Sequence, residues 1–285
     1  KSKYIKGLDG LRALAVVMVL AYHLKIPFAK SGLLGVTVFF VLSGFLITRI
    51  LITEIEETHT IDLKNFWVRR IRRLIPAVLS MAVVIIFVSA VVNRVVFTKG
   101  CKDFIASVLG FNNWWQIFNK VSYFEAAGAP SPFTHCWSLA IETQFYLIYP
   151  ILLLLLSRVF RKRKKRGKVF AGLSALLAVV SMILMAVLYN PNGDPSRVYY
   201  GTDTRAFALL IGALAAIQLE YRIIKVRLPR KIWALIGSIS LVILTCMMIF
   251  ISSYSSFLYY GGQAIVSLLA AFVVYAVTVS KSMLN

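Results

Sequence analysis

The sequence is poor in cysteine and in acidic residues. Its 285 residues include three cysteines and 11 acidic residues against 32 basic ones, so the formal net charge is +21. The cysteine spacing matches no pattern of metal-binding ligands. A disulfide between Cys101 and Cys136 is one possibility that the sequence does not decide. Cys246 lies in an apolar run and is predicted to be a buried, small apolar side chain.

Long polar stretches are also missing. Hydrophobic residues make up 59% of the chain and the mean hydropathy is +0.79. Several apolar runs approach the roughly 20 residues that a helix needs to cross a bilayer. Their hydrophobicity is continuous rather than alternating, which excludes a β-barrel. The sequence therefore predicts an all-α, polytopic transmembrane helix bundle without internal repeats, and the first run is expected to be part of the fold rather than a removable signal peptide.

The basic residues cluster in short segments between the apolar runs, for example 66–73, 158–168 and 221–231. This is the positive-inside pattern of cytoplasmic loops, and it argues against nucleic acid as a partner. With the N-terminus in the cytoplasm, eight spans place every basic loop inside. They are predicted at about residues 8–25, 33–53, 74–97, 137–157, 169–189, 204–220, 232–252 and 258–280. The segment around Trp114 and Trp115 is predicted to lie at the outer interface.

Two ionisable side chains, Arg12 and His23, stand in the first predicted span. Eleven positions separate them, so at 100° per residue they share one helix face, roughly 16 Å apart along the axis. Ionisable groups inside a membrane are costly and mark functional sites. The separation is close to the length of an extended pantetheine arm, with the arginine suited to phosphate and the histidine suited to be a general base. The alternative is a snorkelling Arg12 and a His23 that caps an external loop.

A second polar group lies in the motif THCWSLAIETQFYLIYP. Its polar side chains recur at spacings of three and four and form one stripe on the fourth predicted span: His135, Ser138, Glu142 and Tyr146. Glu142 is predicted to orient the imidazole of His23 and to stabilise its charged form. Tyr146, Ser138 and Ser43 are hydroxyls that can relay an acyl group, while Gly44 beside Ser43 favours close helix packing. A structural cluster that ties helices together is the alternative for the stripe.

Four arginines stand in the motif FWVRRIRRLIPA, namely Arg69, Arg70, Arg72 and Arg73. Spacing of three places Arg70 with Arg73, and likewise the other two, on shared faces. Guanidinium groups bind phosphate as two-pronged forks, so the cluster is predicted to hold an anionic cytosolic substrate. Membrane topology alone is the other explanation.

The mouth of the sixth predicted span carries Asp203 and Arg205, near the outer side. These two residues either pair structurally or contact an acceptor. The sequence does not separate the two interpretations.

Taken together, the motifs GLDGLRALAVVMVLAYH, GVTVFFVLSGFLIT, FWVRRIRRLIPA and HCWSLAIETQFYLIYP resemble the membrane acyltransferase-3 family. The segments NNWW and VYYGTDTRAFALLIGALAA resemble its bacterial peptidoglycan O-acetyltransferase type. The family's arginine–ten–histidine element matches Arg12 and His23, its RxxR element matches Arg70 and Arg73, and its WSLxxExQF element covers 137–145. The resemblance implies transfer of an acetyl group from cytosolic acetyl-CoA, without a metal, to an extracytoplasmic carbohydrate such as peptidoglycan.

The resemblance also implies a longer protein. Family members usually have about ten spans, so the single transmembrane domain, residues 1–285, is expected to be incomplete at its C-terminus. The peptidoglycan type also carries an SGNH-type esterase-like domain outside the cell, and such a domain or partner is expected to complete the transfer. The rival function is a transporter or flippase for a lipid-linked sugar, which would use the same intramembrane charges. The lack of paired, broken spans argues against it.

Overall fold

The structure is a computed structural model that describes residues 5–124, 131–226 and 228–282. Over these ranges the regular structure is helical, without strands, as the sequence predicts. Eleven α-helices follow one another: α1 (Lys6–His23), α2 (Leu34–Thr58), α3 (Leu63–Val92), α4 (Arg94–Val108), α5 (Asn112–Phe118), α6 (Trp137–Val159), α7 (Arg163–Leu188), α8 (Ser196–Tyr200), α9 (Thr202–Tyr221), α10 (Arg230–Phe250) and α11 (Gln263–Ser282). A short 3₁₀ turn (Thr134–Cys136) precedes α6, and a π-helical turn (Leu258–Gly262) precedes α11.

Seven helices in the described part of the chain are long and apolar enough to cross a membrane: α2, α3, α6, α7, α9, α10 and α11. The chain is therefore a multi-pass membrane protein. Helix α1 is 18 residues long but includes Lys6, Asp9 and Arg12, and it does not belong to this set. Membrane crossing by this first helix stays a prediction.

Helices α2 and α9 form the centre of the bundle. In their most apolar stretches 67% and 61% of the residues are buried, compared with 17% in α3. Helix α9 also packs against α7, and α11 packs against α2, α9 and α10. Large apolar side chains of α3, including Val83, Phe87 and Val91, are exposed. A spanning helix needs no polar outer face where its solvent is lipid, so α3 lies at the periphery.

The contact between α2 and α9 depends on two glycines. A Cβ atom at Gly44 would lie 1.8 Å from the carbonyl oxygen of Leu209, and one at Gly212 would lie 2.0 Å from that of Val41. Small residues at helix crossings allow such a close approach of two backbones. The packing function predicted for Gly44 agrees with this geometry.

We expect Gly44→Ala to destabilise the bundle by about 1–3 kcal/mol, because the added methyl group forces α2 and α9 apart. Gly172→Ala is the matched control, since a Cβ atom there meets nothing within 4 Å. Alanine is the better helix former, so the control should be neutral or slightly stabilising. Thermal unfolding in detergent compares the two variants, and equal midpoints would contradict the close approach.

Helix α3 begins earlier than predicted. The predicted span starts at about residue 74, whereas the helix starts at Leu63 and continues to Val92. Asp62 caps its first turn, because the side chain accepts a hydrogen bond from the backbone N–H of Asn65. That bond lowers the pKa of the Asp62 carboxyl. The four arginines therefore belong to the helix, and the predicted loop location is wrong: Arg73 lies roughly 15 Å from the helix start.

The three cysteines are free. Cys136 is buried and Cys101 is partly buried, so the disulfide that the sequence left open does not form in this structure. Cys246 is exposed, and its predicted burial is wrong.

The connections 59–62, 160–162 and 222–226 lie at one end of the bundle, which we call the basic end after the Arg and Lys residues of the last two. Glu56 near the end of α2 holds this end together. Its carboxylate accepts hydrogen bonds from Arg163 (2.9 Å), Arg166 (2.5 Å) and the hydroxyl of Tyr221 (2.7 Å). The ends of α2 and α9 and the start of α7 are thus joined by charge-assisted hydrogen bonds.

Candidate active site

A cleft of about 490 Å³ opens between α1, α2 and α6, toward the end opposite to the basic end. Its volume falls in the range of sites for small organic ligands. Seven lining side chains are apolar (Val19, Leu20, Val36, Phe39, Phe40, Trp137 and Leu139) and five are polar (His23, Tyr123, His135, Ser138 and Glu142). The cleft thus brings together four side chains from two separate predicted motifs.

His23 is the last residue of α1, and both of its ring nitrogens have partners. Nδ1 lies 2.8 Å from the carbonyl oxygen of Val19, and Nε2 lies 3.1 Å from the hydroxyl oxygen of Tyr123. A carbonyl oxygen only accepts, so in the neutral ring Nδ1 carries the proton. Nε2 is then the acceptor for the Tyr123 hydroxyl. This arrangement presents a basic nitrogen to a hydroxyl group.

Tyr123 lies in the connection between α5 and α6, and sequence reasoning missed it. Its ring packs 4.5 Å from the ring of Tyr199. Burial raises the pKa of the Tyr123 hydroxyl above its usual value, so the group keeps its proton at neutral pH and can donate it. One hundred positions separate Tyr123 from His23. No helical spacing relates two residues so far apart in a chain.

His135 stands beside His23 in the cleft. The two imidazole rings are 4.6 Å apart and meet edge to face. The sequence places His135 at the boundary of the fourth predicted span but gives it no contact with His23. Ser138, one turn further on, directs its hydroxyl to the backbone oxygen of His135 at 3.5 Å, a long hydrogen bond.

The predicted pairing of Glu142 with His23 is wrong. The carboxylate of Glu142 accepts a hydrogen bond from the hydroxyl of Tyr146 at 2.8 Å. Ser43 on α2 interacts with both members of this pair. Glu142 and Tyr146 are four positions apart on α6, and side chains at this spacing lie next to each other on a helix. Glu142 still lines the cleft, but as part of a second polar pair.

Helical spacing divides the arginines of α3 into two pairs, Arg70 with Arg73 and Arg69 with Arg72. Of the four, Arg70 is partly buried and the other three are exposed. The guanidinium carbon of Arg70 lies 5.7 Å from the ring centre of Phe66. Arg70 interacts electrostatically with Tyr146, and Arg73 interacts with Glu142. We call Arg70 and Arg73 the inward pair, because their charges act on the second polar pair, whose Glu142 lines the cleft.

The outward pair consists of Arg69 and Arg72. Arg72 is exposed, and the Arg69 side chain is 53% exposed and 3.9 Å from the carboxylate of Glu54. None of the four arginines of α3 lines the cleft. The structure separates two pairs that the sequence treats as one phosphate-binding cluster.

Arg12 lies on the same continuous helix as His23, as the sequence predicts. Its guanidinium forms an ion pair with Asp9 at 2.7 Å. The side chain is 34% exposed. A phosphate at Arg12 would therefore compete with the Asp9 carboxylate.

Asp203 and Arg205 do not pair with each other. Asp203 accepts two hydrogen bonds from Arg197, at 2.8 and 3.1 Å. Arg205 is fully buried, and one guanidinium nitrogen donates to the hydroxyl of Thr37 at 3.0 Å. The rest of the cation lies over three aromatic rings: Phe40, Trp137 and Tyr199. Arg205 is thus behind the cleft wall. Of the two interpretations, the mutual pair is not formed, and the acceptor contact stays a prediction.

A buried amide network fixes the outer parts of the site. Asn113 of the NNWW segment donates to the Tyr200 carbonyl oxygen (3.0 Å) and to the Thr202 hydroxyl (2.8 Å). Gln144 on α6 donates to the Asn113 side-chain oxygen (2.9 Å) and accepts from Thr202 (2.6 Å). The network links α5, α6 and the start of α9. Satisfied buried networks of this kind rigidify their surroundings.

Sequence comparison identifies the family. The acyltransferase domain family matches residues 5–282. The chain belongs to the membrane acyltransferase-3 family. It is 45% identical over 286 residues to the peptidoglycan O-acetyltransferase OatA of Listeria monocytogenes, which covers 99% of this chain and 45% of the relative. It is 43% identical over 287 residues to the putative peptidoglycan O-acetyltransferase YrhL of Bacillus subtilis, with the same shares covered.

A putative O-acetyltransferase of Staphylococcus aureus is 39% identical over 280 residues, or 97% of this chain and 46% of the relative. This acyltransferase-3 chain thus spans less than half the length of these curated relatives. No solved structure matches it at a significant level.

For an acyltransferase-3 chain, the geometry supplies the parts that acyl transfer to a hydroxyl needs. These parts are a basic imidazole nitrogen, a hydroxyl that contacts it, and a pair of inward guanidinium groups. Among the residues that the structure describes, no three His, Cys, Asp or Glu side chains are grouped so that they could hold a metal ion.

Proposed function

We propose that this chain is the membrane portion of an O-acetyltransferase. It takes an acetyl group from acetyl-CoA at the basic end, which faces the cytoplasm together with the N-terminus, and delivers it at the opposite end. The hydrogen bond between His23 Nε2 and the Tyr123 hydroxyl inside the cleft carries this proposal. Basic connections favour the cytoplasmic side. The names of the relatives support a carbohydrate acceptor such as peptidoglycan.

The donor is held by Arg70 and Arg73. Both residues belong to the inward pair, roughly 10 and 15 Å from the start of α3, and their guanidinium forks suit the phosphate groups of CoA. The pantetheine arm then extends past Tyr146 and Glu142 into the cleft. Arg12 is a secondary contact, because it already pairs with Asp9.

The chemical step begins at His23. Its Nε2 atom takes the proton of a hydroxyl, the hydroxyl oxygen attacks the thioester carbonyl, and the imidazolium returns the proton to the departing thiolate of CoA. Tyr123 is the hydroxyl that touches this base, so we propose it as the first acceptor, ahead of Tyr146 and Ser138. A sugar hydroxyl then attacks the phenol ester, His23 passes its proton to the departing Tyr123 oxygen, and an SGNH-type domain or partner presents the glycan for this second step.

Acetyl-CoA turnover by the purified full-length protein tests this function. We expect release of free CoA, measured by liquid chromatography, and an acetyl adduct on the peptide that contains Tyr123, measured by mass spectrometry. Acetyl-CoA that binds and stays intact would contradict an acyltransferase and favour a transporter.

Substitution of the inward arginines should weaken donor binding. We expect Arg70→Gln and Arg73→Gln each to reduce acetyl-CoA affinity about 10- to 100-fold, because a hydrogen bond to a charged group contributes about 1.5–3 kcal/mol. Binding to the wild type should also fall as salt rises. Calorimetric titration measures both effects.

Arg72→Gln is the matched control, because Arg72 stands in the same helix and is exposed like Arg73 but belongs to the outward pair. Its affinity for acetyl-CoA should stay within about twofold of the wild type. Unchanged affinity in both inward variants would move the donor site elsewhere.

A further inference from the structure

A second cleft, of about 970 Å³, lies at the basic end between α7, α9, α10 and α11. It shares no lining residue with the first cleft. One part of its wall is cationic, with Arg163, Lys164, Lys168, Arg222 and Lys225. Another part is apolar and includes Leu228, Trp233, Tyr275 and Val279. The cleft therefore has an amphipathic lining.

Most of these cations are not neutralised by the protein. Arg163 is occupied, since it bonds the Glu56 carboxylate and the backbone oxygen of Glu220, both at 2.9 Å. Across the described ranges, the other four cations have no carboxylate within ion-pair distance. The cleft thus carries a surplus of positive charge that suits an anion.

Hydrogen bonds hold the segment 222–225, which carries two of the cations, in one conformation. The side-chain amide of Gln218 donates to the backbone oxygen of Ile224 at 2.6 Å and accepts from its backbone N–H at 3.0 Å. These two bonds fix the turn that holds Arg222 and Lys225 over the cleft. A site with preorganised cations loses less entropy when an anion binds.

The apolar wall belongs to helices that cross the membrane. The rings of Trp233 on α10 and Tyr275 on α11 pack 4.8 Å apart. Beside them, Ile232 and Leu235 are 40% and 59% exposed on the outer side of α10. Tryptophan and tyrosine favour the headgroup level of a bilayer. A soluble anion would contact the cations of the cleft but leave its apolar side chains without a partner. An anion with acyl chains contacts both the cations and the apolar side chains.

We propose that the second cleft binds an anionic phospholipid. Its phosphate lies among Lys168, Arg222 and Lys225, and an acyl chain runs along Trp233 and Tyr275. Each cation near an anionic headgroup strengthens binding about fivefold. This site is independent of the proposed acetyl transfer, because none of its residues takes part in that reaction.

Native mass spectrometry of the full-length protein in detergent tests the site. The protein is titrated with phosphatidylglycerol and, separately, with phosphatidylcholine of the same chain length. We expect tighter binding of phosphatidylglycerol, and about tenfold or greater loss of that binding in the K168Q/R222Q/K225Q variant. The R158Q/R161Q/K162Q variant removes the same charge from the same end outside the cleft lining, and it should lose at most about twofold.

Two further measurements distinguish a lipid from a free phosphate. Trp233→Ala keeps every cation and should still weaken phosphatidylglycerol binding several-fold, because the acyl chain loses its wall. Glycerol 3-phosphate should not displace the bound lipid at equal concentration. Equal losses in the two triple variants, equal binding of phosphatidylcholine, or displacement by glycerol 3-phosphate would each overturn the proposal.

Discussion

His23→Ala should lower acetyl transfer by about 10²- to 10⁴-fold, the usual loss when a general base is removed. Nε2 of His23 is the nitrogen that contacts the Tyr123 hydroxyl, and alanine offers no group to take that proton. Acetyl-CoA should still bind, because Arg70 and Arg73 lie on a different helix. Release of free CoA measures the rate, and calorimetric titration measures the binding.

His59→Ala is the matched control for this experiment. His59 follows α2 at the basic end and is exposed, far from the cleft lining. Its substitution should leave turnover close to normal. Near-normal turnover in His23→Ala would instead reduce His23 to a cap on the end of α1, held by its bond to Val19.

Tyr123→Phe should abolish the acetyl adduct in the cleft and slow CoA release by about 10²-fold or more. Phenylalanine keeps the ring that packs 4.5 Å from Tyr199, so the cleft retains its shape while the acceptor oxygen is lost. Peptide mapping by mass spectrometry after exposure to acetyl-CoA follows the adduct. Thermal unfolding confirms that the variant is folded.

Tyr260→Phe serves as the control for the loss of a hydroxyl. Tyr260 is 57% exposed and lies outside the cleft lining. Unchanged turnover in Tyr123→Phe would show that a sugar hydroxyl attacks the thioester directly. An adduct on Tyr146 in that variant would place the relay on the neighbouring polar pair.

Apolar run length is sufficient to predict the eight long helices, but not every boundary and not the shorter α4, α5 and α8. The eight predicted spans correspond to α1, α2, α3, α6, α7, α9, α10 and α11. The predicted start of α3 is wrong because a cluster of four arginines is typical of a charged connection between spans. In the structure these arginines are amphipathic helix residues whose inward pair faces the polar groups of α6. Local charge density does not distinguish such a face from a connection.

Contacts within one helix were more predictable than contacts between distant segments. The stripe on α6 is predicted by its spacing, and the bond between Glu142 and Tyr146 fits the same spacing, although the predicted partner of Glu142 is His23. The contact of His23 with Tyr123 could not be predicted from the sequence, because it joins the end of α1 to a connection one hundred positions away. The burial of Arg205 depends on rings from three other segments, which only the folded bundle brings together.

Reconstituted vesicles show directly whether the protein moves acetyl groups from one side of the membrane to the other. The full-length protein is reconstituted into vesicles in one orientation, and labelled acetyl-CoA is supplied only at the basic end. A soluble peptidoglycan fragment is supplied only on the other side. We expect labelled, acetylated glycan in the compartment that never contained acetyl-CoA, and loss of this product in His23→Ala. Product that forms only when donor and acceptor share one compartment would contradict transfer through the bundle.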